Sequence, residues 1–202
     1  MNVHLWTITS LCVGGLLALM CLLTLLELAL KTAQLGIGPT PSGRVARKLI
    51  VELCVAEQVA QASPLTLYEL GSGWGGLAHS LAVALGPGAH VTGVELAWGP
   101  LLCSRAFASL SQAPPWSQKR ASLTYVHQDL TTALSQLIGG ELLVCYLCPE
   151  QLRRLSDTLS SVQLPQRVTL ISLLFSLPGY TATERLTVNN LYRDPVWVYR
   201  LS

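Results

Sequence analysis

The chain has 202 residues, of which 50% are hydrophobic and only 12% are charged, and its formal net charge at pH 7 is +2. This length leaves room for one domain of ordinary size and a short extra segment, so a second independent domain is not expected. So few charged residues predict a membrane segment or a strongly buried core. The sparse basic residues of the globular part argue against a nucleic-acid substrate, which requires a positively charged stripe.

The first predicted element is a membrane helix. Residues 5–26 contain no charged side chain, and a helix of that length rises roughly 33 Å, enough to cross a hydrocarbon core of about 30 Å. A cleaved signal peptide is the alternative, but no basic segment precedes the apolar run and no small-residue cleavage site stands before Lys31. We therefore predict a transmembrane anchor over residues 1–31.

The basic residues predict how this anchor is oriented. Lys31, Arg44, Arg47 and Lys48 follow the span, and none precedes it. Because positively charged flanks stay on the cytoplasmic side, we expect a single-pass protein with its C-terminal domain on the cytoplasmic side, or the equivalent matrix side. The six cysteines are then expected to be reduced thiols.

Residues 32–63 are predicted to form a connector and an amphipathic helix. The segment GIGPTPSG, residues 36–43, stops the first helix. The next helix is expected to begin near Ser42 as its N-cap. Its predicted apolar side consists of Leu49, Ile50, Leu53 and Cys54. The basic residues in its first turns oppose the helix dipole, and they fit either anionic lipid headgroups or a solvated basic face.

From residue 64 onward, short apolar runs alternate with helical stretches. Strands are predicted at 65–70, 90–96, 122–127, 141–147 and 168–175, and helices around 76–85, 99–110, 131–138 and 149–161. This alternation is typical of a parallel sheet covered on both faces. The final stretch contains two strand-like runs without a helix between them, which predicts an antiparallel hairpin. We therefore predict an α/β fold with a Rossmann-like, doubly wound, mostly parallel sheet over residues 64–202.

The stretch LYELGSGWGGLA, residues 67–78, places a glycine-rich loop directly after the first strand. In an open parallel sheet, ligands bind in the crevice at this point, and glycines expose bare backbone N–H groups to them. The loop also satisfies the G-x-G-x-x-G pattern of dinucleotide-binding folds. However, Glu69 would repel a pyrophosphate, whereas it would attract a ligand that carries a cationic amine and a sulfonium centre.

Two further acids follow the next two strands. Glu95 ends the second strand, where a carboxylate can accept hydrogen bonds from the hydroxyls of a ribose above the glycine loop. Asp129 follows the third strand, where a side chain can reach an adenine ring. Asp129 also fits an ordinary helix N-cap, and both interpretations stay open.

Together, LYELGSGWGGLA, VTGVEL and HQDL resemble the class I S-adenosylmethionine-dependent methyltransferases, whose first motif is an acid followed by Gly-x-Gly-x-Gly. The resemblance covers roughly residues 64–202 and implies S-adenosyl-L-methionine as the cofactor. The residues that it implies for cofactor binding are Glu69, Gly71, Ser72, Gly73 and Gly75 for the methionine part, Glu95 for the ribose and Asp129 for the adenine edge.

The order of elements is similar to that of a narrower group. One apolar N-terminal helix, a PTP connector, a helix and the glycine motif resemble the small membrane-anchored protein-lysine methyltransferases that act on the ATP synthase c-subunit and the adenine nucleotide carrier. This likeness implies a lysine of a membrane protein as the methyl acceptor. The sequence departs from that group where Trp74, Gly75 and Gly76 replace an acid and a basic residue.

The end of the fourth strand, CYLCPEQL, is where methyltransferases of this class place residues that face the acceptor. Tyr146 would turn its ring or hydroxyl toward the cationic methyl group, and Glu150 would attract an ammonium. A packed aromatic ring and a first-turn helix acid are the alternatives. Cys145 and Cys148 have C-x-x-C spacing, but no second pair or suitably spaced His follows, so no metal site is predicted.

These observations lead to one function with two alternatives. We expect a membrane-anchored methyltransferase that uses S-adenosyl-L-methionine and modifies a lysine of a membrane protein. A second enzyme hypothesis makes the acceptor a lipid or a lipophilic small molecule such as a quinone precursor. A third hypothesis is a catalytically degenerate binding or assembly module in which Trp74 fills the cofactor space.

Overall fold

The computed structural model describes residues 3–35, 42–61, 65–111, 120–162, 164 and 167–201. The chain begins with helix α1, Val3–Leu35. Its apolar part, Ile8–Glu27, is not buried against the rest of the protein. By length and composition this part of the helix can cross a membrane, and an N-terminal signal sequence can have the same length and composition.

The remaining elements alternate as the sequence predicts. They are α2 Arg44–Gln61, β1 Thr66–Leu70, α3 Gly76–Leu85, β2 His90–Glu95, α4 Trp98–Leu110, β3 Ser122–His127, α5 Leu130–Leu134, β4 Leu142–Cys145, α6 Pro149–Ser161, β5 Val168–Leu173, β6 Glu184–Thr187 and β7 Pro195–Leu201. The seven strands form one sheet in the order β3-β2-β1-β4-β5-β7-β6. The first five are parallel, whereas β7 runs antiparallel to both β5 and β6. The predicted mostly parallel sheet with a closing hairpin is confirmed.

Two layers of helices cover the sheet. Helices α2, α3 and α4 pack on one face, where Ile50, Leu81 and Leu101 are fully buried. Helices α5 and α6 pack on the other face through Leu134 and Leu152. Because the strand order reverses between β1 and β4, a crevice opens at the carboxyl ends of these strands, as in other open α/β sheets.

Helix α2 belongs to this core. Ile50 and Cys54 are fully buried, and Leu49 and Leu53 pack partly against the same cluster, so the predicted apolar side is confirmed. The predicted N-cap is wrong by one residue, because the carbonyl of Gly43 accepts the first helical N–H bond at 2.9 Å. The PTP connector lies outside the described residues.

Three predicted elements are shorter by two or more residues in the structure. Helix α5 ends at Leu134 because the Glu141 carboxylate accepts hydrogen bonds from the N–H groups of Ile138 (2.7 Å) and Gly139 (2.8 Å), which pulls this segment out of helical geometry. Strand β5 ends at Leu173 because the next residue, a leucine, has a left-handed φ of 75°. Strand β4 stops at Cys145, where its pairing with both neighbouring strands ends.

Candidate active site

The glycine loop follows β1 and is held against β2. Gly71, Gly73 and Gly75 have φ values of 74°, 52° and 78°, in the region that other residues rarely adopt. The N–H groups of Gly71 and Ser72 both donate to the carbonyl of Val94 at 2.9 Å. The loop therefore crosses the carboxyl ends of both strands and stands at the crevice, as the sequence predicts.

The loop has no room for side chains at two of its glycines. A Cβ on Gly75 would lie 2.5 Å from the Tyr125 hydroxyl and 2.6 Å from the Ser104 Cβ. A Cβ on Gly71 would lie 2.7 Å from a methyl group of Leu147. These positions require glycine for space as well as for backbone conformation.

Tyr125 supports the loop from below, and sequence reasoning missed it. Its hydroxyl donates to the Gly75 carbonyl at 2.8 Å. Its ring packs against Gly93 of β2, where an added Cβ would lie only 2.5 Å from Cδ1 of the ring. Burial raises the pKa of Tyr125 above its ordinary value, so the hydroxyl remains a donor. The glycine of VTGVEL, a weak residue inside a strand, was the one local signal of this close approach.

Glu69 lies behind the loop, buried, and caps α3. Its Oε2 accepts a hydrogen bond from the Ala78 N–H at 2.7 Å. Burial raises the pKa of Glu69 to about 8, although the Ala78 bond and the charge of Arg47 lower it and the charge of Glu95 raises it further. This acid is therefore protonated at neutral pH until a cation reaches it.

Arg47 is a second residue that sequence reasoning misassigned. Its side chain is partly buried over the start of α3, with Nη2 3.1 Å from where a Cβ on Gly76 would lie. Nη2 donates to the Ser42 carbonyl at 3.3 Å, while the buried Nε has no hydrogen-bond partner among the described residues. The prediction that Arg47 faces lipid or open solvent is therefore wrong. The signal was an arginine in a first turn, where the helix dipole disfavours it.

Glu95 faces the glycine loop, as predicted from its position at the end of β2. Its Oε2 accepts from the Gly73 N–H at 2.7 Å, and its Oε1 accepts from the N–H groups of Leu96 (2.9 Å) and Ala97 (2.8 Å). Since a carboxylate has about four acceptor positions, one position on Oε2 is left for a ligand hydroxyl.

Asp129 is the N-cap of α5. Its Oδ1 accepts hydrogen bonds from the N–H (2.9 Å) and the hydroxyl (2.7 Å) of Thr131, and Oδ2 lies 3.8 Å from Nη2 of Arg154. The capping interpretation thus describes its contacts, and a contact with adenine stays a prediction. Nearby, the Trp98 ring stacks on His127 with a centroid distance of 3.9 Å at the ends of β2 and β3.

The predicted acceptor-side residues follow β4. Tyr146 is partly buried and packs against the core cluster that contains α2 and α3. Glu150 is exposed in the first turn of α6 and pairs with Arg153, with Oε1 2.6 Å from Nη2. The contacts of Tyr146 are those of a packed aromatic ring, and the contacts of Glu150 are those of a first-turn helix acid. The catalytic roles of both residues stay predictions.

Neither cysteine at this end of β4 forms part of a metal site within the described ranges. Cys145 and Cys148 are both buried, and burial raises the pKa of the Cys145 thiol to about 12. Among the described residues, no three His, Cys, Asp or Glu side chains come together as metal ligands.

These features fit a nucleoside-bearing amino acid. The remaining acceptor position on Glu95 and the buried Ser72 hydroxyl, which has no partner among the described residues, lie at the crevice. The predicted bare amides are not found at Gly71, Ser72, Gly73 and Gly75, because each of these N–H groups already donates within the protein. Glu69 provides a negative charge when a cation displaces its proton, and Arg47 provides a positive one. Trp74 in the same loop is 40% exposed, and the hypothesis that its ring fills the cofactor space stays a prediction.

Three solved structures share the fold of this chain. The RNA methyltransferase from Salinibacter ruber, crystallised with S-adenosyl-L-homocysteine, is 21% identical, with a TM-score of 0.61 over 80% of this chain and 94% of that one. TrmN from Thermus thermophilus is 18% identical, with a TM-score of 0.53 over 79% of this chain and 52% of its own length. The bifunctional kinase-methyltransferase WbdD is 16% identical, with a TM-score of 0.52 over 83% of this chain and 41% of its own length.

The three proteins are similar to this chain in fold, which is the Rossmann-like methyltransferase fold. No protein-family model matches the chain. No curated protein matches it at the level that would indicate a relative.

Proposed function

We propose that this chain is a membrane-anchored methyltransferase that uses S-adenosyl-L-methionine and modifies a lysine of a membrane protein. The observation that carries the enzymatic part is the bond from the Gly73 N–H to Glu95, which joins the glycine loop to the acid at the end of β2. In this arrangement, one surface offers a glycine backbone without side chains and a carboxylate for the ribose, with a protonated acid behind it.

Each residue of the site has a part in holding the cofactor. Glu95 accepts a ribose hydroxyl at its remaining acceptor position, and the turn of glycines lets the ligand come close to the backbone, because no side chains stand there. Arg47 pairs with the carboxylate of the methionine part, because its guanidinium lies over the start of α3 with Nε unpaired among the described residues. Glu69, once ionised, balances the positive charge of the cofactor's amine and sulfonium groups. When bound, the cofactor supplies a methyl group already activated on a sulfonium, so catalysis depends mainly on positioning.

On the acceptor side, the chain has to orient a lysine and receive it as a neutral amine. Tyr146 provides a ring face or hydroxyl beside the crevice. Glu150 attracts the incoming ammonium once its pair with Arg153 opens, which costs little because the pair is exposed. We exclude a nucleic-acid acceptor because the globular part has few basic residues. The likeness to an RNA methyltransferase concerns the fold and does not change this exclusion.

The membrane part of the proposal rests on α1 and on the basic residues that follow it. A tether raises the effective concentration of any substrate in the same bilayer, with the globular part on the cytoplasmic or matrix side. Incubating the chain with methyl-labelled cofactor and host membranes tests the acceptor class. Label in protein lysines supports the proposal, label in the organic phase supports a lipid or lipophilic acceptor, and no cofactor binding supports a degenerate module.

Arg47 is expected to recognise the carboxylate of the cofactor. Replacing it by Met should weaken binding of S-adenosyl-L-homocysteine about 10-fold to 100-fold, the range for a lost hydrogen bond to a charged group. Binding of methylthioadenosine, which lacks the amino-acid carboxylate, should change less than threefold by the same reasoning. Calorimetry on both ligands measures this difference. Equal losses for the two ligands would contradict a carboxylate contact.

Glu69 is expected to make cofactor binding pH-dependent. With a pKa of about 8, Glu69 carries a proton at pH 7, and a cationic ligand favours its ionised form. Binding should therefore release a proton, and affinity should rise as the pH rises from about 6 to about 8. Calorimetry in buffers of different ionisation enthalpy counts the protons. Glu69→Gln should remove the proton that Glu69 releases. Any proton release that remains in this variant comes from the amino group of the ligand.

The same residue predicts a pH effect on folding without the cofactor. The pKa of Glu69 is raised from 4.5 in an ordinary environment to about 8 in the folded protein. Its contribution to stability is therefore complete below about pH 4.5 and is lost as the pH rises toward 8. Glu69→Gln should flatten the stability profile across this window. A profile that Glu69→Gln leaves unchanged would contradict the raised pKa.

A further inference from the structure

Helix α1 is joined directly to the first turn of α4. The Glu27 carboxylate accepts hydrogen bonds from the N–H groups of Trp98 (Oε1, 2.7 Å) and Gly99 (Oε2, 2.9 Å), which caps α4 and balances its dipole. A Cβ on Gly99 would lie only 2.3 Å from the Thr24 methyl group, so the two helices are in close contact there. Glu27 is also the last residue of the apolar span Ile8–Glu27.

The contact on Gly99 is the start of an apolar strip along α4. Residues Gly99, Leu102, Cys103, Ala106 and Leu110 recur at three-residue and four-residue spacings, so they lie on one side of the helix, here called the outer face. Leu102 is 51% exposed and Leu110 is 86% exposed. The outer face therefore continues, uncovered, from the point where α1 touches it.

No charged side chain interrupts this surface. Arg105 is the one charged residue of α4, and its Nε (3.0 Å) and Nη2 (2.9 Å) donate to the Tyr125 carbonyl of β3, which directs the guanidinium toward the sheet. Trp98 and Phe107 flank the outer face, and each is half exposed. An exposed apolar strip with an aromatic ring at its end is a surface that the membrane interface accommodates.

We propose that the outer face of α4 lies in the headgroup region of the same bilayer that α1 crosses. The bilayer is the occupant that the geometry favours, because the apolar span of α1 ends at Glu27, the residue that contacts Trp98 and Gly99. The hydrocarbon therefore ends at the level where α4 begins. This inference rests on the membrane anchor of the proposed function and adds a second contact with the membrane.

The second contact has a consequence for the substrate. Only two residues separate Glu95, the acid at the glycine loop, from Trp98 at the start of α4. A docked α4 therefore holds this end of the crevice at the membrane surface and restricts its rotation about α1. The acceptor should be a group within a few ångströms of the headgroups, such as a lysine in a short loop beside a membrane span.

Cys103, exposed on the outer face, provides the test. The full chain is reconstituted in phosphatidylcholine and phosphatidylglycerol vesicles and treated with a neutral, water-soluble maleimide, and labelling rates are read by peptide mass spectrometry. The reference is a thiol introduced by Ser160→Cys on α6, on the opposite side of the sheet. Cys103 is expected to react at least about 10-fold more slowly than this reference.

A double substitution, Leu102→Glu with Leu110→Glu, should bring the Cys103 rate to within about threefold of the reference, because charged residues leave the interface. Ile138→Glu, at an apolar residue outside α4 that is 79% exposed, should leave the rate unchanged. Unaltered Cys103 that reacts as fast as the reference in floated vesicles would overturn the docking of α4 and spare the anchor. A chain that does not float with the vesicles would overturn the anchor, and the docking with it.

Discussion

Alanine at Gly75 is expected to lower the free energy of unfolding by about 2–4 kcal/mol. Two costs add: the left-handed φ of 78° is unfavourable for alanine, and the new Cβ would overlap the Tyr125 hydroxyl and the Ser104 Cβ, at 2.5 and 2.6 Å. Neither neighbour can easily withdraw, because both are buried. Denaturant unfolding of the chain in detergent, followed by circular dichroism, measures the loss.

Gly88→Ala is the matched control for this prediction. Gly88 has a φ of 93°, but nothing lies within 4 Å of the position that its Cβ would take. Alanine there should cost only the backbone part, about 1 kcal/mol. Gly75→Ala combined with Tyr125→Phe should be less damaging than the sum of the two, since the hydroxyl that causes one overlap is gone. Equal effects of Gly75→Ala and Gly88→Ala would show that space does not limit the loop.

Glutamine at Glu95 is expected to weaken binding of S-adenosyl-L-methionine about 100-fold, from a lost charged acceptor and a disturbed loop together. In the structure, both carboxylate oxygens accept backbone N–H groups, one from the loop and two from Leu96 and Ala97, directly before α4. An amide can serve only one of these sides, because its NH₂ group would face an N–H donor on the other. Calorimetry with the cofactor and its demethylated product measures the effect.

Glu184→Gln, at an exposed acid in β6, is the control for the loss of one negative charge. It should leave cofactor affinity within about twofold, because exposed charges are screened over short distances. Glu95→Asp should recover little, since its shorter side chain cannot reach Gly73 and the start of α4 together. Wild-type affinity in Glu95→Gln would remove this acid from the proposed site.

Much of the fold was predictable from local pattern. The alternation of apolar strands with helices predicted the parallel sheet, and the two strand-like runs at the end predicted the hairpin of β6 and β7. Boundaries failed where a side chain from outside the segment, a left-handed residue or the end of strand pairing stopped the element. The Glu141 carboxylate, for example, binds two N–H groups that a longer α5 would have used.

The sequence by itself determined the candidate anchor, the glycine loop and the positions of Glu69 and Glu95, because uncharged length, glycine content and the order of strand and acid are properties of one short stretch each. Only the tertiary structure decided the roles of Arg47, Tyr125 and Glu27. Arg47 comes to Gly76 from α2, Tyr125 to Gly75 from β3, and Glu27 to α4 from α1. Such contacts join residues far apart in the chain, and no local periodicity encodes which distant side chain will occupy the space beside a glycine or a helix end.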